Sequence, residues 1–280
     1  MVDFHEVAER IWTTRSDWHN VNVTAVGSDR GVLLVDSTGS SRCAREVVDG
    51  LRRLGVGEVV AAVNTHAHFD HRLGNAVLRE TYGPIPIHAH EEFEDEVAAW
   101  PLAQDEALRD DPLRAEAIST PEVLPDRVFA SVATLDLGGR YVELIHPGPG
   151  HSGCDVVVRI PDADVLIAGD VVEQAGPPSY GPDCHPLAWP LSLDLVTGLL
   201  TATTVVVPGH GTPVDREFVA HQRAEIGVVA ETIRDLHDRQ VPIDQALAGA
   251  QWPFAAHHLT HAVRRGYAHL PQVRRHLPLL

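Results

Sequence analysis

Cysteine is scarce in this sequence, with three residues among 280, at positions 43, 154 and 184. They are widely spaced and odd in number, which is typical of free thiols in a reducing compartment. A chain of this length can bury a substantial core, so neither a disulfide nor a metal is needed for bulk stability. The small disulfide-stapled domains are therefore excluded as a class.

Long apolar runs are also missing. No segment approaches the 18 or so consecutive apolar residues that a transmembrane helix requires. The first residues, MVDFHEVAERIW, contain Asp3, Glu6 and Glu9 where a secretory signal peptide would be basic and then apolar. We therefore expect a cytoplasmic protein without a membrane span.

Basic residues are few, with 22 Lys and Arg against 39 Asp and Glu, for a formal net charge of −17. Such an acidic surface repels phosphate backbones and anionic lipid headgroups. We expect neither a nucleic-acid nor a membrane partner. The hydrophobic fraction of 44% and charged fraction of 22% are ordinary for a globular protein. No Gly/Ser linker divides the chain, so we interpret residues 1–280 as one domain.

Short apolar strands and helical patterns alternate along the chain, which predicts an α/β fold. The predicted strands are residues 5–14, 21–27, 31–36, 58–64, 85–88, 127–135, 141–146, 155–160, 165–168 and 204–207. The predicted helices are residues 41–54, 76–82, 191–201, 215–239, 244–250 and 259–268, and residues 66–75 are predicted as a loop.

Residues 91–127 differ from their surroundings because they are acidic and interrupted by proline. Long irregular segments of this kind are often lids or binding loops, so we interpret this one as an insertion over a site. A solvated pair of surface helices is the alternative. The helices predicted over about 215–280 form a C-terminal extension.

A dense group of metal-ligand residues follows the predicted strand 58–64, where residues 64–71 read NTHAHFDH. Residues two apart in extended backbone project to the same side, so His66 and His68 can hold one metal ion together. Asp70 and His71 lie where the chain turns toward the next helix and could serve a second ion. Imidazole and carboxylate groups are suitable ligands for zinc.

Three further ligand candidates follow predicted strands. His151 lies in HPGPGHSG, Asp170 ends VLIAGD, and His210 lies in VVVPGHG. Open α/β sheets place their sites at the carboxyl ends of strands, so these side chains are expected to meet.

Together with GVLLVD at residues 31–36, these motifs resemble the metallo-β-lactamase-fold hydrolases, over about residues 5–215. The resemblance implies a four-layer αβ/βα sandwich with a two-metal site. It assigns His66, His68 and His151 to one metal, Asp70, His71 and His210 to a second, Asp170 to both, and Asp36 to orienting a ligand. Aspartate at position 170 is similar to the glyoxalase II and lactonase branches, because class B lactamases often have cysteine there.

The resemblance implies a hydrolase with two zinc ions, in which metal-bound hydroxide attacks a small ester, lactone, thioester or amide, including possibly a β-lactam. Asp70 would be the catalytic acid–base residue. The alternative is a persulfide dioxygenase with one iron, held by His66, His151 and Asp170. Metal analysis would separate the two.

Two segments are expected to form the walls of the substrate pocket, residues 91–127 and the loop 174–187. Tyr180 and His185, in AGPPSYGPDCHP, are candidates for substrate binding. For Tyr180, packing against the core is the alternative interpretation.

Overall fold

The computed structural model describes residues 2–104 and 108–271, so residues 105–107 of the predicted insertion and 272–280 of the predicted extension lie outside the described residues. The first sheet follows the chain order, with strands β1 (His5–Ala8), β2 (Ile11–Arg15), β3 (Asn22–Gly27), β4 (Val32–Val35), β5 (Val59–Val63), β6 (Ile87–His90) and β7 (Arg127–Phe129). Its strands are antiparallel from β1 to β4 and parallel from β4 to β7.

The second sheet has the order β12-β11-β10-β9-β8. Its strands are β8 (Val132–Asp136), β9 (Tyr141–Ile145), β10 (Val157–Ile160), β11 (Val165–Gly169) and β12 (Val205–Pro208). β11 and β12 are parallel, and the other neighbours are antiparallel.

The described residues form nine α-helices, several of which pack on the outer faces of the two sheets. They are α1 (Ser41–Leu54), α2 (Phe69–Arg72), α3 (Asn75–Tyr82), α4 (Phe93–Ala99), α5 (Arg114–Ser119), α6 (Trp189–Leu199), α7 (Arg216–Asp238), α8 (Ile243–Ala246) and α9 (Thr260–His269). α1 has the bounds that the sequence predicts, because Ser40 Oγ accepts a hydrogen bond from the amide of Cys43 and Gly55 takes a left-handed conformation at the end.

Three apolar clusters separate the layers. One lies between the sheets, where Leu33 and Val63 of the first sheet share a core with Leu144 and Ile167 of the second. Another packs α1 and α3 on the first sheet, and a third packs α6, α7 and α9 on the second. Each sheet is therefore covered on both faces. The predicted four-layer αβ/βα sandwich with C-terminal helices is confirmed.

Two of the predicted strands are wrong. Residues 5–14 form a hairpin, because Arg10 adopts a left-handed conformation with φ of 57° and reverses the chain between β1 and β2. Residues 127–135 contribute to both sheets, since β7 ends at Phe129 and β8 begins at Val132. The amide of His146 donates to the Ser131 carbonyl at 2.8 Å, which holds the second part in the other sheet.

Smaller differences concern two helical segments. The loop predicted over residues 66–75 contains the one-turn helix α2, and the helix predicted over 244–250 is shorter, at Ile243–Ala246. Among the described residues, no helix combines the length and the apolarity needed to cross a bilayer.

The carboxyl ends of β4, β5, β11 and β12 meet at one edge of the sandwich. Asn22, at the start of β3, joins the sheets there by donating from its side-chain amide to the carbonyls of Pro208 and Gly211, both at 2.9 Å. Segments that leave these strands are therefore held close together, and they carry the residues that the sequence singles out.

Candidate metal centre

The turn after β5 is fixed by buried amide side chains. Asn64 Nδ2 donates to the His71 carbonyl at 2.9 Å, and Asn75 Nδ2 donates to Asn64 Oδ1 at 2.7 Å. A Cβ on Gly74 would lie 1.8 Å from the Ser37 carbonyl oxygen, so only glycine allows this close approach. The turn therefore has one conformation, and it presents its histidines toward the cleft.

The first ligand group contains His66, His68, His151 and Asp170, whose ligating atoms all lie within 4.8 Å of one another. His151 Nε2 is 2.9 Å from His68 Nδ1 and 3.5 Å from Asp170 Oδ2. His66 Nε2 is 3.8 Å from the same carboxylate oxygen. Three imidazoles and one carboxylate thus converge on one point.

The second group contains Asp70, His71 and His210, again within 4.8 Å. His71 Nε2 lies 3.3 Å from His210 Nε2, and His210 Nε2 lies 3.5 Å from Asp70 Oδ2. Asp170 is 3.2 Å from each of these two imidazoles, so its carboxylate lies between the groups. A Cβ on Gly209 would lie 1.8 Å from Asp170 Oδ1, and glycine there leaves the space that this carboxylate occupies.

An oxygen atom lies beside the outer ring nitrogen of each of the five histidines. His71 Nδ1 contacts Asp36 Oδ2 at 2.8 Å, and His68 Nε2 contacts Asp183 Oδ2 at 2.8 Å. The other three outer nitrogens contact Thr65 Oγ1, the Ser179 carbonyl and the His19 carbonyl, at 3.1, 2.9 and 2.7 Å. Metal-binding histidines have this arrangement, because the outer contact fixes the tautomer and the orientation of the ring.

Burial and the neighbouring carboxylates move the pKa values of the ligand histidines in opposite directions. Burial lowers the pKa of His66 well below its ordinary value and that of His151 to about 4, which leaves both imidazoles neutral. Burial acts the same way on His210, but Asp170 outweighs it and raises the pKa to about 10. Burial opposes ionisation of Asp170, yet His210 and His71 hold its pKa well below the usual range. The buried carboxylate therefore stays charged and requires positive charge beside it.

The residues fit a zinc site. His66 Nε2 is buried and has no hydrogen-bond partner among the described residues, which is costly unless a ligand occupies it. Imidazole nitrogens and carboxylate oxygens are the donor set that zinc takes in catalytic sites. The seven ligand candidates of the sequence are thus brought together, and the groups His66, His68, His151, Asp170 and Asp70, His71, His210 could each hold an ion.

Asp36 occupies the position expected of an orienting acid. It follows β4 and is buried, and besides contacting His71 it accepts hydrogen bonds from the Thr65 amide and hydroxyl at 2.8 and 2.9 Å. Its carboxylate therefore connects the second ligand group to the start of the turn that carries the first.

Two buried acids were not singled out from the sequence. Asp183, which contacts His68, lies in the Gly/Pro-rich loop, and no local sequence signal marks it. Glu173 forms a further possible ligand group with Asp170 and His210, and its position three residues after Asp170 is the only local signal. Burial, with Asp170 adding to it, raises the pKa of Glu173 to about 7.

The side chains of Tyr180 and His185, both within the 174–187 loop, pack on other aromatic rings. The Tyr180 ring packs on Trp189 at 5.1 Å between centroids, within the apolar core of the second sheet. The His185 ring stacks on His269 at 5.2 Å, and burial together with Arg265 lowers its pKa to about 4.

A cavity of about 330 Å³ opens beside His68. Its walls come from both segments that the sequence analysis assigns to a pocket. The insertion contributes Glu96, Trp100, Pro101 and Leu102, and the 174–187 loop contributes Ser179, Gly181, Pro182 and Asp183. Both segments therefore line this cavity, and its use as the substrate pocket stays a prediction.

Comparison with known proteins identifies relatives of this chain in one superfamily. The family model of the metallo-beta-lactamase superfamily matches residues 16–215. Metallo-beta-lactamase type 2 of Bacillus cereus is 27% identical over 202 residues, which cover 71% of this chain and 70% of that protein. The probable metallo-hydrolase YqgX of Bacillus subtilis (strain 168) is 30% identical over 159 residues, covering 56% of this chain and 70% of the relative.

Solved structures show the same fold. A metallo-beta-lactamase from Pontibacter korlensis superposes with a TM-score of 0.66 at 22% identity, over 81% of this chain and 99% of that one. The DIM-1 metallo-beta-lactamase superposes with a TM-score of 0.64 at 21% identity, over 81% and 97%. Because the family model matches residues 16–215, which are most of this chain, the chain belongs to the metallo-beta-lactamase superfamily and is a hydrolase.

Proposed function

We propose that this hydrolase is zinc-dependent, holds two zinc ions per chain, and cleaves a small-molecule ester, lactone, thioester or amide. The observation that carries the proposal is the convergence of five histidine ring nitrogens into two groups that share Asp170. His66, His68 and His151 would hold the first ion, and Asp70, His71 and His210 the second, with Asp170 on both.

The second group favours a two-zinc hydrolase over the one-iron persulfide dioxygenase. An iron site of His66, His151 and Asp170 would leave His71 and His210 without a ligand role. Their inner nitrogens nevertheless face each other at 3.3 Å, and their outer nitrogens contact Asp36 and the His19 carbonyl. Such support for both rings is expected when both bind metal.

Zinc, when bound, supplies Lewis acidity and lowers the pKa of a ligated water to about 7. The protein supplies orientation and proton handling. Asp70 is buried, and one of its carboxylate oxygens lies 3.5 Å from His210 and 3.8 Å from His71. The imidazoles of His71 and His210 hold the pKa of Asp70 below its usual range against the effect of burial, so its carboxylate is ionised and can bind metal or accept a hydrogen bond. Transfer of a proton toward the leaving group is the further role that we propose for it.

The cavity beside His68 supports a small substrate, because about 330 Å³ accommodates a compact acyl group. The net charge of −17 disfavours a nucleic-acid substrate. Aspartate at position 170, which is similar to the glyoxalase II and lactonase branches, favours an ester, lactone or thioester over a β-lactam. Cys43, Cys154 and Cys184 are free and buried, which supports a cytoplasmic location.

The test combines metal analysis with a substrate panel. Protein expressed with equal supplies of zinc and iron should contain close to two zinc ions per chain. It should hydrolyse at least one member of a panel of lactones, thioesters, aryl esters and amides. About one iron with negligible zinc, and no hydrolysis, would contradict the proposal and favour the dioxygenase.

A further inference from the structure

The cavity wall contains basic and acidic side chains, and its arginine is already paired with an acid. Arg72 is the only arginine or lysine among the described lining residues. Its guanidinium is buried, donates to the Ala67 carbonyl and contacts the carboxylate of Glu122. Its positive charge is thus neutralised within the wall and does not offer an anion-binding group to the cavity.

Glu96 brings a negative charge to the same wall from the insertion. It lies on α4, where buried Phe93 and the partly buried Glu96 and Val97 turn toward the protein while Glu94 faces solvent. The Glu96 carboxylate accepts a hydrogen bond from the Gly153 amide at 3.1 Å. Its pKa is raised to about 7 by burial, with a further contribution from Asp183, which indicates a desolvated position close to a second acid.

Asp183 is that second acid, on the facing loop. One of its oxygens contacts His68, and the other, Oδ1, is buried and has no hydrogen-bond partner among the described residues. Asp183 itself is only 4% exposed and lines the cavity. Asp183 therefore places a second carboxylate in the wall of the cavity.

The remaining wall is largely apolar. Phe69, Trp100, Pro101, Leu102 and Pro182 surround the two acids. Trp100 is 44% exposed, so its ring is available for contact with a ligand. An indole face attracts cations, and the apolar side chains bury the hydrocarbon part of a ligand.

We propose that the cavity selects an uncharged or cationic acyl group with an apolar body and rejects acyl groups that carry a carboxylate. Glu96 is the specificity-determining residue, because it places a carboxylate in a wall where the only arginine among the described lining residues is already paired. This inference rests on the proposed hydrolase function and adds the substrate class.

The kinetic test uses 4-nitrophenyl esters of three benzoic acids, with a methyl, an aminomethyl or a carboxylate group in the para position. Each substrate is compared between wild type and Glu96→Gln, so differences in intrinsic ester reactivity cancel. Glutamine keeps an acceptor oxygen for the Gly153 amide and removes only the charge. Glu94→Gln, on the exposed face of the same helix, is the matched control.

Wild type should cleave the methyl and aminomethyl esters in preference to the carboxylate ester. At pH 8.5, where the Glu96 carboxylate is ionised, Glu96→Gln should raise the ratio of kcat/KM for the carboxylate ester to that for the methyl ester about tenfold, because a like charge is removed from a partly desolvated wall. Glu94→Gln should not change this ratio. A wild-type preference for the carboxylate ester, unchanged in Glu96→Gln, would overturn the inference.

A binding experiment keeps the inference separate from the hydrolytic activity. Zinc-stripped protein is titrated with the three corresponding para-substituted benzamides, and quenching of tryptophan fluorescence is followed, with Trp100→Phe identifying the signal from the wall. The carboxylate compound should bind at least several-fold more weakly than the methyl compound, and Glu96→Gln should abolish that difference. Equal or tighter carboxylate binding would refute the inference, whereas absence of hydrolysis with this binding pattern would refute only the proposed activity.

Discussion

Asp36→Asn tests whether the outer contacts of the histidines prepare the second ligand group for zinc. Asp36 adopts a left-handed conformation with φ of 63°, which asparagine tolerates at least as well as aspartate, so no backbone strain is added. The Thr65 amide can still donate to the one remaining side-chain oxygen. The two altered contacts are those of Oδ2, with the Thr65 hydroxyl at 2.9 Å and with His71 Nδ1, which would lie 2.8 Å from an amide nitrogen if the side chain keeps its position.

The consequence is a change of tautomer. An aspartate oxygen accepts a hydrogen bond from His71 Nδ1–H and leaves Nε2 free to bind metal, whereas an asparagine NH₂ donates to Nδ1 and favours the proton on Nε2. The ring then turns a donor toward the ligand group. Loss of an outer contact of this kind costs about 10–100-fold in metal affinity. The first ligand group does not contain His71 and is reached only through the Thr65 hydroxyl, which contacts both Asp36 and His66, so its affinity should change less.

Zinc titration against a chromophoric chelator measures both affinities. Wild type should show two tight sites, and Asp36→Asn should show one site weakened by about 10–100-fold and the other weakened less. Asp244→Asn makes the same change of charge at an exposed position and should match wild type. Two sites of wild-type affinity in Asp36→Asn, with its fold intact by circular dichroism, would refute the role given to Asp36.

Three further outcomes are expected. Asp70→Asn should lower kcat by about 10²–10⁴-fold, and less for activated esters, whose leaving groups need no proton; equal losses on activated and unactivated esters would instead indicate a role in holding metal only. His151→Ala should abolish turnover while circular dichroism remains native-like, and turnover above a few per cent at saturating zinc would remove it from the first group. Zinc-stripped protein should keep its secondary structure and gain about 2.7 kcal/mol of stability at a zinc concentration 100 times Kd, measured by denaturant unfolding; unfolding on stripping would mean that the core depends on the metal.

The layers could be predicted from sequence because apolar strands and amphipathic helices have distinct periods. The errors arise where this periodicity does not specify a turn or the sheet that a strand joins. Nothing in the sequence around Arg10 marks a left-handed turn, since glycine is absent there. Residues 127–135, RVFASVATL, have continuous strand propensity, so the transfer between sheets at Ala130 and Ser131 is decided by pairing partners distant in the sequence.

The candidate ligands could be predicted because each follows an apolar strand, and strand ends of one sandwich meet at one edge. Their supporting acids were harder to find. His68 and Asp183 are 115 residues apart in the sequence and are brought together only by the packing of a loop without regular structure. Glu173 lies in a turn after Asp170, and its proximity to His210 depends on the parallel pairing of β11 with β12. Local sequence patterns identify ligands more readily than the residues that orient them.

Arg265 extends this support to the C-terminal helices, which lie beyond the region that the family model matches. From α9, its guanidinium donates to the carbonyls of Cys184 at 2.9 Å and Asp183 at 3.3 Å, and so holds the loop whose carboxylate contacts His68. Arg265→Ala removes two hydrogen bonds worth about 1 kcal/mol each, and part of that loss should appear as misorientation of His68. We expect kcat/KM to fall about tenfold with weaker zinc binding at the first group, measured by ester hydrolysis and zinc titration. Arg264→Ala, at the neighbouring exposed position, should stay within twofold of wild type. Equal effects of the two substitutions would show that the extension only stabilises the fold and does not position the loop.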